Sequence, residues 1–460
     1  MRAEMRVSKR KLRHARSERP DPFAPRARRA TTRIDRWLMA FGLAGITGGA
    51  WFAVTAPAGA AYPGVNGDIA FFSTRSSMNV IWQVNPTGAN GTAAGDQAAT
   101  TELTNGGGAD VGGIDAEPFY SPDGQTVFFD SNRTGNWVIF SVPQATPEPP
   151  AASELSQPSG ANPATSPNDY GPSVASDSKT VVFQRTTSSG NGNGGALYTL
   201  YTGAANVAAS VCLLYTPPDG LLSPSASAGS ASRAVFDPVD PSKLVYTDAS
   251  GHLHLLSGIP TPELGGSPTN PCSVNPSSLT DTDLSTTADQ QSGPPVTTGY
   301  QDEDPDWSPD GTKLIFDSTR NGGQTIWTMT GGILSGSGTL SANPLWNSLA
   351  NSSGPQIQYQ PVFSPDGTQI AYAEATRGSS VFSADLVNMD QSYTNAENLS
   401  LSTPGNPANS EPDWQPLSTG NGTPEAPMIL LLPGSALLIG GIALTIQGRR
   451  RRVPGSGVTV

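Results

Sequence analysis

The stretch EDPDWSPDGTKLIFDSTR, residues 303–320, decides the fold of this chain. Its centre is the turn sequence Ser308-Pro309-Asp310-Gly311. Proline presets φ at the second position of such a turn, the aspartate side chain hydrogen-bonds nearby backbone, and glycine accepts a positive φ. Short runs of alternating apolar residues stand on both sides of the turn. The stretch therefore predicts a β-hairpin.

The same pattern occurs twice more with an identical turn. Residues 117–133 read EPFYSPDGQTVFFDSNR, and residues 360–372 read QPVFSPDGTQIAY. The turns of these two copies are Ser121-Pro122-Asp123-Gly124 and Ser364-Pro365-Asp366-Gly367. Repetition of one supersecondary unit along a chain is the signature of a repeat architecture.

Two further copies keep the strand pattern but have lost the turn sequence. Residues 171–183 read GPSVASDSKTVVF, and residues 234–246 read AVFDPVDPSKLVY. The copies are about 50 to 70 residues apart, which corresponds to one four-stranded propeller blade with a loop insertion.

One more copy is divided between the two ends of the repeat region. Residues 66–75, NGDIAFFSTR, match the second half of the pattern, and residues 411–416, EPDWQP, match its first strand. Pairing of these two pieces would close a ring and leave no open sheet edge. We therefore predict an all-β fold, a six-bladed β-propeller over residues 62–417 whose N- and C-terminal strands share one blade.

The signature Pro-x-Trp/Phe-Ser-Pro-Asp-Gly followed by an apolar strand resembles the repeat of the TolB-type, WD40-like PD40 propeller family. The resemblance covers most of residues 64–416. It implies that the repeat residues build blades, while partners bind variable loops and the mouth of the central channel. It assigns no catalytic role to Ser121, Asp123 or their equivalents.

The N-terminal region has the pattern of an export signal. Residues 1–36 form a basic leader that contains 13 of the 26 lysine and arginine residues. Residues 37–61 are apolar and end in small residues, so they are predicted to be a signal peptide or an uncleaved anchor. The sequence Ala58-Gly59-Ala60 fits signal peptidase and would place the mature N-terminus near Ala61 or Tyr62.

The C-terminal region has the pattern of a membrane anchor. A linker, residues 418–427, leads into residues 428–447, which contain no charged side chain and are long enough to span a bilayer as a helix. Arginines 449–452 place the basic tail, residues 448–460, in the cytoplasm. With Pro424-Glu425-Ala426-Pro427 before it, this tail resembles exosortase-type sorting tails. The predicted protein is exported and envelope-bound, with the propeller outside.

The predicted extracytoplasmic part is strongly acidic. Residues 61–448 contain 34 acidic and nine basic side chains, a net charge of about −25. Such a surface repels nucleic acid, so no nucleic-acid partner is expected. It favours cations, cationic peptides or basic protein surfaces, and it also keeps an exported domain soluble.

Few residues suggest chemistry. The chain contains no Gly-x-Ser-x-Gly motif, and the tail leaves no room for a hydrolase domain beside the propeller. His252 and His254 alternate around Leu253 and are candidates for a metal site or for a solvated blade edge. Asp302 and Asp304 are candidate calcium ligands. No catalytic residue and no cofactor is predicted, with calcium kept as an alternative.

Two sets of residues predict structural links. Cys212 and Cys272 are predicted to form a disulfide between adjacent blades, or to be two separate core residues. Arg75, Arg133 and Arg320 occupy equivalent repeat positions. They predict either recurring ion pairs or carbonyl contacts between neighbouring blades, or an anion-binding ring.

The predicted function is non-catalytic binding of an envelope protein, peptide or glycan through loops at residues 188–195, 260–271 and 331–341. One alternative is a structural surface-coat component. A second is a propeller lyase or hydrolase, which would require His252, His254 and acidic side chains to converge at the channel mouth.

Overall fold

The computed structural model describes residues 62–418 except 76–78, 88–98, 108–111, 146–151, 158–165, 187–194, 219–233, 261–277, 292–298, 321, 332–333, 335–339, 345–355, 377–383, 391–395 and 400–407. The leader, the signal segment, the linker from residue 419, the segment 428–447, the basic tail, Cys272 and most of the three predicted binding loops lie outside the described residues. Within the described part of the chain, no helix is long and apolar enough to span a membrane.

The described residues are mainly β-strands. The first twelve are β1 (Val65–Ser73), β2 (Val80–Val84), β3 (Thr100–Glu102), β4 (Asp115–Tyr120), β5 (Thr126–Ser131), β6 (Val138–Pro143), β7 (Ser153–Glu154), β8 (Asn168–Val174), β9 (Thr180–Thr186), β10 (Gly195–Tyr201), β11 (Cys212–Tyr215) and β12 (Val235–Phe236). The others are β13 (Lys243–Thr247), β14 (Leu253–Ser257), β15 (Thr280–Asp283), β16 (Asp302–Trp307), β17 (Lys313–Ser318), β18 (Thr325–Gly331), β19 (Leu340–Pro344), β20 (Gln356–Phe363), β21 (Gln369–Thr376), β22 (Ala384–Asp390), β23 (Ala396–Asn398) and β24 (Asn409–Leu417). A 3-10 helix, Ala208–Ser210, and helix α1, Leu284–Gln291, complete the described elements.

The strands of the described residues form six antiparallel four-stranded sheets. Sheet I has the order β24-β1-β2-β3, and sheets II to VI follow in chain order as β4–β7, β8–β11, β12–β15, β16–β19 and β20–β23. The strand at one edge of each sheet (β24, β4, β8, β12, β16 or β20) contacts the corresponding strands of both neighbouring sheets. These inner strands therefore form a closed ring around an axis, and the prediction of an all-β propeller is confirmed.

The two ends of the repeat region close the ring by sharing sheet I. Strand β24 pairs with β1 from Val65 opposite Leu417 to Ser73 opposite Asn409. The Trp414 indole donates to the Gly67 carbonyl at 3.2 Å, which fixes the register of this pair. The prediction that the terminal strands share one sheet is therefore confirmed.

The Ser-Pro-Asp-Gly turns connect the inner strand of a sheet to its second strand. In sheet II the Ser121 hydroxyl donates to Asp123 at 2.5 Å, and Gly124 has φ +66°. Glycine is required at position 124 because of this positive φ. It is also required because a Cβ there would lie 2.2 Å from the Pro416 carbonyl oxygen. The turns in sheets V and VI repeat the serine-to-aspartate bond, at 2.6 and 2.7 Å.

The turns of the two degenerate copies reach the same end of the ring by different means. In sheet III Ser178 adopts φ +56°, where the intact turns have glycine. In sheet IV the Asp237 carboxylate accepts the backbone N–H groups of Val239 and Asp240, at 2.9 and 3.1 Å. Side-chain bonds to backbone thus replace the lost turn sequence. We call this end of the ring the turn face.

Candidate functional site

A repeated backbone bulge shapes the inner strands on the side of the ring away from the turn face. In four sheets a non-glycine residue directly before proline has a positive φ: Glu117 (+50°), Asp304 (+47°), Gln360 (+53°) and Glu411 (+56°). Gly171 occupies the same position in sheet III with φ +58°. The strand register shifts at each of these points. Residues before proline are normally extended, so this conformation must be held by other contacts.

Side chains of the preceding sheet provide contacts that hold the bulges. The Glu117 N–H donates to Glu411 Oε2 at 2.7 Å, and the Glu411 N–H donates to Gln360 Oε1 at 3.0 Å. The Gly171 N–H donates to Asp130 Oδ2 at 3.1 Å. A bulge thus frees an N–H from the strand ladder, and an acidic or amide side chain across the sheet boundary accepts it.

Two aspartates repeat this link nearer the turn face. Asp306 accepts the Phe363 N–H at 2.9 Å, and Asp413 accepts the Tyr120 N–H at 2.6 Å. Both aspartates are buried. The acidic side chains on the inner strands therefore join neighbouring sheets, in addition to giving the axis a negative charge.

Glu117 and Asp130 form a buried acidic pair. Asp130 Oδ1 and Glu117 Oε2 are buried and have no hydrogen-bond partner among the described residues. The two carboxyl groups face each other, and burial, followed by the charge of Glu117, raises the pKa of Asp130 well above its usual value. Two carboxylates can bond to each other only when one is protonated. The raised pKa favours the protonated form of Asp130, which can donate to Glu117.

Sheet V contains a related acidic pair, which is shifted by one residue along the inner strand. Glu303 and Asp317 lie directly opposite each other on β16 and β17. Burial first, and then the charge of Glu303, raises the pKa of Asp317, while burial and Asp302 raise the pKa of Glu303. Glu303 and the neighbouring Asp304 are half-buried, so they reach solvent at this end of the axis.

Aromatic residues lie at the position equivalent to Glu303. Strand registers place Tyr170 and Tyr359 there, each one residue before its bulge. The half-buried Tyr170 ring packs against Trp137 with centroids 5.6 Å apart. We call Tyr170, Glu303, Asp304 and Tyr359, at the end of the axis opposite the turn face, the axial mouth.

The described arginines do not neutralise the axial mouth, because each is paired within its own sheet. Arg133 bonds to Asp115 and Arg185 bonds to Asp169, each at 2.7 Å. Arg320 bonds to Asp302, and Arg75 donates to Asn409 at 3.1 Å. All four guanidinium groups also lie over aromatic rings.

These arginines link sheets indirectly. Ser156 at the end of sheet II donates to Asp169 of sheet III at 2.6 Å, and Ser285 after sheet IV donates to Asp302 of sheet V at 2.6 Å. The ion pairs themselves are therefore within a sheet, where the sequence suggested pairs between blades, and the serines make the link. Sequence comparison missed Arg185 because it is not aligned with the other three in its degenerate repeat.

The two candidate metal-binding histidines lie on β14 and its preceding turn, two strands away from the inner ring. His254 Nδ1 lies 2.9 Å from Asp281, and His254 Nε2 lies 3.4 Å from Asp248. Burial alone would lower the pKa of His254, but its hydrogen bonds to Asp248 and Asp281 raise it to about 10. His254 therefore carries a positive charge at neutral pH.

The remaining candidate ligands are directed elsewhere. His252 lies 3.4 Å from Asp283 and stacks on Tyr300, while Asp302 binds Arg320 and Asp304 occupies a bulge. In the described part of the chain, no group of three or more histidine, cysteine, aspartate or glutamate side chains is placed to hold a metal ion. The structure does not bring these four candidates together.

Cys212 lies in β11 at the outer edge of sheet III and is disulfide-bonded. The only other cysteine in the sequence is Cys272, which lies outside the described residues. The Cys212–Cys272 pairing remains a prediction.

Comparison with solved structures finds TolB proteins and prolyl oligopeptidases among those that are similar to this chain. TolB from Acinetobacter baumannii is 16% identical with a TM-score of 0.48, over 76% of this chain and 67% of that one. A putative TolB from Agrobacterium tumefaciens is 15% identical with a TM-score of 0.41, over 76% of this chain and 99% of that one. Prolyl oligopeptidase B from Galerina marginata is 11% identical with a TM-score of 0.42, over 72% of this chain and 42% of that one.

No protein-family model matches the sequence. No curated protein matches it either.

Proposed function

We propose that this protein is a non-catalytic, TolB-like six-bladed propeller of the cell envelope, each four-stranded sheet being one blade, and that its axial mouth binds a basic segment of a protein or peptide partner. The observation that carries the proposal is the presence of two half-buried acids, Glu303 and Asp304, at the same end of the axis as the packed rings of Tyr170 and Trp137. Carboxylates bind lysine and arginine side chains, and aromatic faces add cation–π attraction.

The charges around the axial mouth favour this ligand class. The four described arginines are engaged with acceptors in their own sheets, so they leave the charge of Glu303 and Asp304 without neutralisation from these side chains. A cationic side chain at Glu303 would replace the proton that burial favours. Binding should therefore strengthen as pH rises through the range in which Glu303 loses its proton.

A catalytic role has less support. The lyase or hydrolase alternative requires His252 and His254 to meet acidic side chains at the channel mouth. Both histidines belong to the outer half of sheet IV, and each pairs with a different aspartate. We therefore assign the acidic axial mouth to binding.

The direct experiment measures binding of hexalysine to the full chain, with hexaglutamate as the charge control. We expect hexalysine alone to bind and its affinity to fall with salt. Each of Glu303→Gln and Asp304→Asn should weaken binding by about 0.2–1 kcal/mol, the usual range for exposed ion pairs. Asparagine tolerates a positive φ, so Asp304→Asn should keep the bulge.

Glu154→Gln is the matched control, because Glu154 is a half-buried acid on β7 at the outer edge of sheet II. It should leave hexalysine binding unchanged. Equal losses in all three variants would indicate nonspecific charge attraction and would contradict the axial mouth as the site. Absence of binding to hexalysine would favour a structural surface component.

We also propose that residues 37–61 direct export and that residues 428–447 anchor the chain, in the arrangement of an exosortase-type tail. The mass and N-terminal sequence of protein recovered from membranes test both parts. A mature N-terminus at Ala61 or Tyr62 and a retained tail are expected for a permanent anchor. A shortened C-terminus would indicate tail processing, and recovery in the cytosolic fraction would contradict export.

A further inference from the structure

Tyr62, three residues before β1, crosses the axis of the ring at the turn face. Its hydroxyl donates to the Val174 carbonyl at the end of β8 in sheet III. Two residues later, the Gly64 N–H donates to the Pro365 carbonyl in the turn of sheet VI at 3.2 Å. Sheets III and VI stand opposite each other in the order of the ring. The segment from Tyr62 to Gly64 therefore spans the axis.

The surroundings of Tyr62 form a binding site of defined chemistry. The side chain is 4% exposed and belongs to the same apolar cluster as Phe119, Val235 and Trp307, from sheets II, IV and V. The apolar side chains accommodate an aromatic ring, and the Val174 carbonyl accepts one hydrogen bond from its hydroxyl.

Carboxylates around this site favour a neutral hydroxyl. Burial first, and then the charges of Asp177, Asp413, Asp306 and Asp237, raise the pKa of Tyr62 well above its usual value. These aspartates belong to four different sheets, which agrees with an axial position. A phenol that keeps its proton can donate to the Val174 carbonyl, whereas a phenolate cannot.

We propose that the turn-face end of the axis is a binding site for an aromatic hydroxyl group, occupied in cis by Tyr62, which closes the channel at this end. The axial mouth is then the open end of the channel. The predicted signal cleavage near Ala61 would leave this tyrosine at the mature N-terminus. The proposal does not depend on the partner-binding function assigned to the axial mouth.

Chemical rescue of the full-length Tyr62→Gly variant tests the proposal. The substitution removes a group equivalent to p-cresol and leaves a cavity that a ligand of that shape can fill. The variant should have a lower Tm than the wild-type chain, and p-cresol should raise it with increasing concentration. Toluene, which has the same shape without the hydroxyl, should raise it less.

The Tyr62→Phe variant is the matched control, because its ring still fills the site. Neither compound should raise its Tm beyond any effect on the wild-type chain. Equal stabilisation of Tyr62→Gly by p-cresol and toluene would overturn recognition of the hydroxyl. Absence of any selective effect would overturn the axial site.

A second measurement applies if Tyr62→Gly does not fold alone. The variant is then refolded from denaturant with p-cresol or with toluene. Recovery of native protein in p-cresol but not in toluene supports the site, while equal recovery, or recovery in neither, contradicts it.

Discussion

Arg320 and Asp302 form an ion pair in which both side chains are 0% exposed. Arg320 Nε also bonds to Asp302 Oδ1 at 2.9 Å, and the guanidinium lies 4.3 Å from the Tyr300 ring centroid. Ser318 and Ser285 both donate to Asp302 at 2.6 Å. This group of residues joins sheet V to the end of sheet IV, with the aspartate as the shared acceptor.

Removal of Arg320 should be strongly destabilising. Arg320→Ala leaves the Asp302 charge buried without its cation, which typically costs about 3–5 kcal/mol. The free energy of unfolding from denaturant titration measures the loss. Arg185→Ala is the matched control, because the Arg185 side chain is 18% exposed. Its loss should be smaller, and equal losses would contradict burial as the cause.

Ser178→Gly should stabilise the protein. Ser178 has φ +56° in the degenerate turn of sheet III, where the intact turns place glycine. Replacing it relieves a backbone strain of about 1–2 kcal/mol, partly offset by the greater freedom of glycine in the unfolded chain. Thermal unfolding should show a higher Tm.

The reverse substitution, Gly311→Ala, provides the companion measurement. Gly311 has φ +66°, and a Cβ at this position would lie 2.9 Å from an Asp237 oxygen. The variant should be less stable than the wild-type chain. A lower Tm for Ser178→Gly would show that backbone conformation does not control these turns.

Local features of the sequence predicted the propeller because each Ser-Pro-Asp-Gly turn specifies its own conformation. The bulges at Glu117, Asp304, Gln360 and Glu411 were not predicted, since a residue before proline is ordinarily extended. Their conformation depends in part on acceptors from the preceding sheet, which approach only when the ring is closed.

Contacts that form only in the closed ring also limited what the sequence could predict about the two ends of the axis. Sequence analysis gave Asp302 and Asp304 as candidate calcium ligands, because it could not show that Asp302 would be bound to Arg320. Tyr62 was visible only as a residue near the cleavage site. Its contact with Val174, 112 positions away, follows from the arrangement of six sheets.

His254 should make stability depend on pH in the alkaline range. Its folded-state pKa of about 10 lies above its ordinary value of 6.5, so its contribution is complete below pH 6.5 and is lost as pH rises towards 10. The slope from this group reaches about 1.4 kcal/mol per pH unit.

His254→Gln should remove this part of the pH dependence. Denaturant titrations at pH 6 and pH 9 measure the free energy of unfolding of both proteins. The difference in this free energy between wild type and variant should be smaller at pH 9. Asp248, Asp281 and the Tyr246 hydroxyl surround the imidazole, and the last of these donates to Asp281 at 2.8 Å. The same free-energy difference at both pH values would mean that these groups do not keep His254 protonated.

Asp130→Asn should stabilise the protein above the pH at which an ordinary aspartate ionises, about 3.9. Burial and the charge of Glu117 raise the pKa of Asp130, so the folded state retains a proton that the unfolded chain releases. This difference lowers the stability of the wild-type chain as pH rises.

Asparagine does not titrate, its amide can donate to Glu117, and its oxygen can still accept the Gly171 N–H. The unfolding free energies of the wild-type chain and Asp130→Asn should therefore differ more at pH 8 than at pH 4. Asp317→Asn in sheet V should show the same trend. Parallel pH profiles for wild type and both variants would contradict retention of a proton by Asp130 and Asp317 in the folded state.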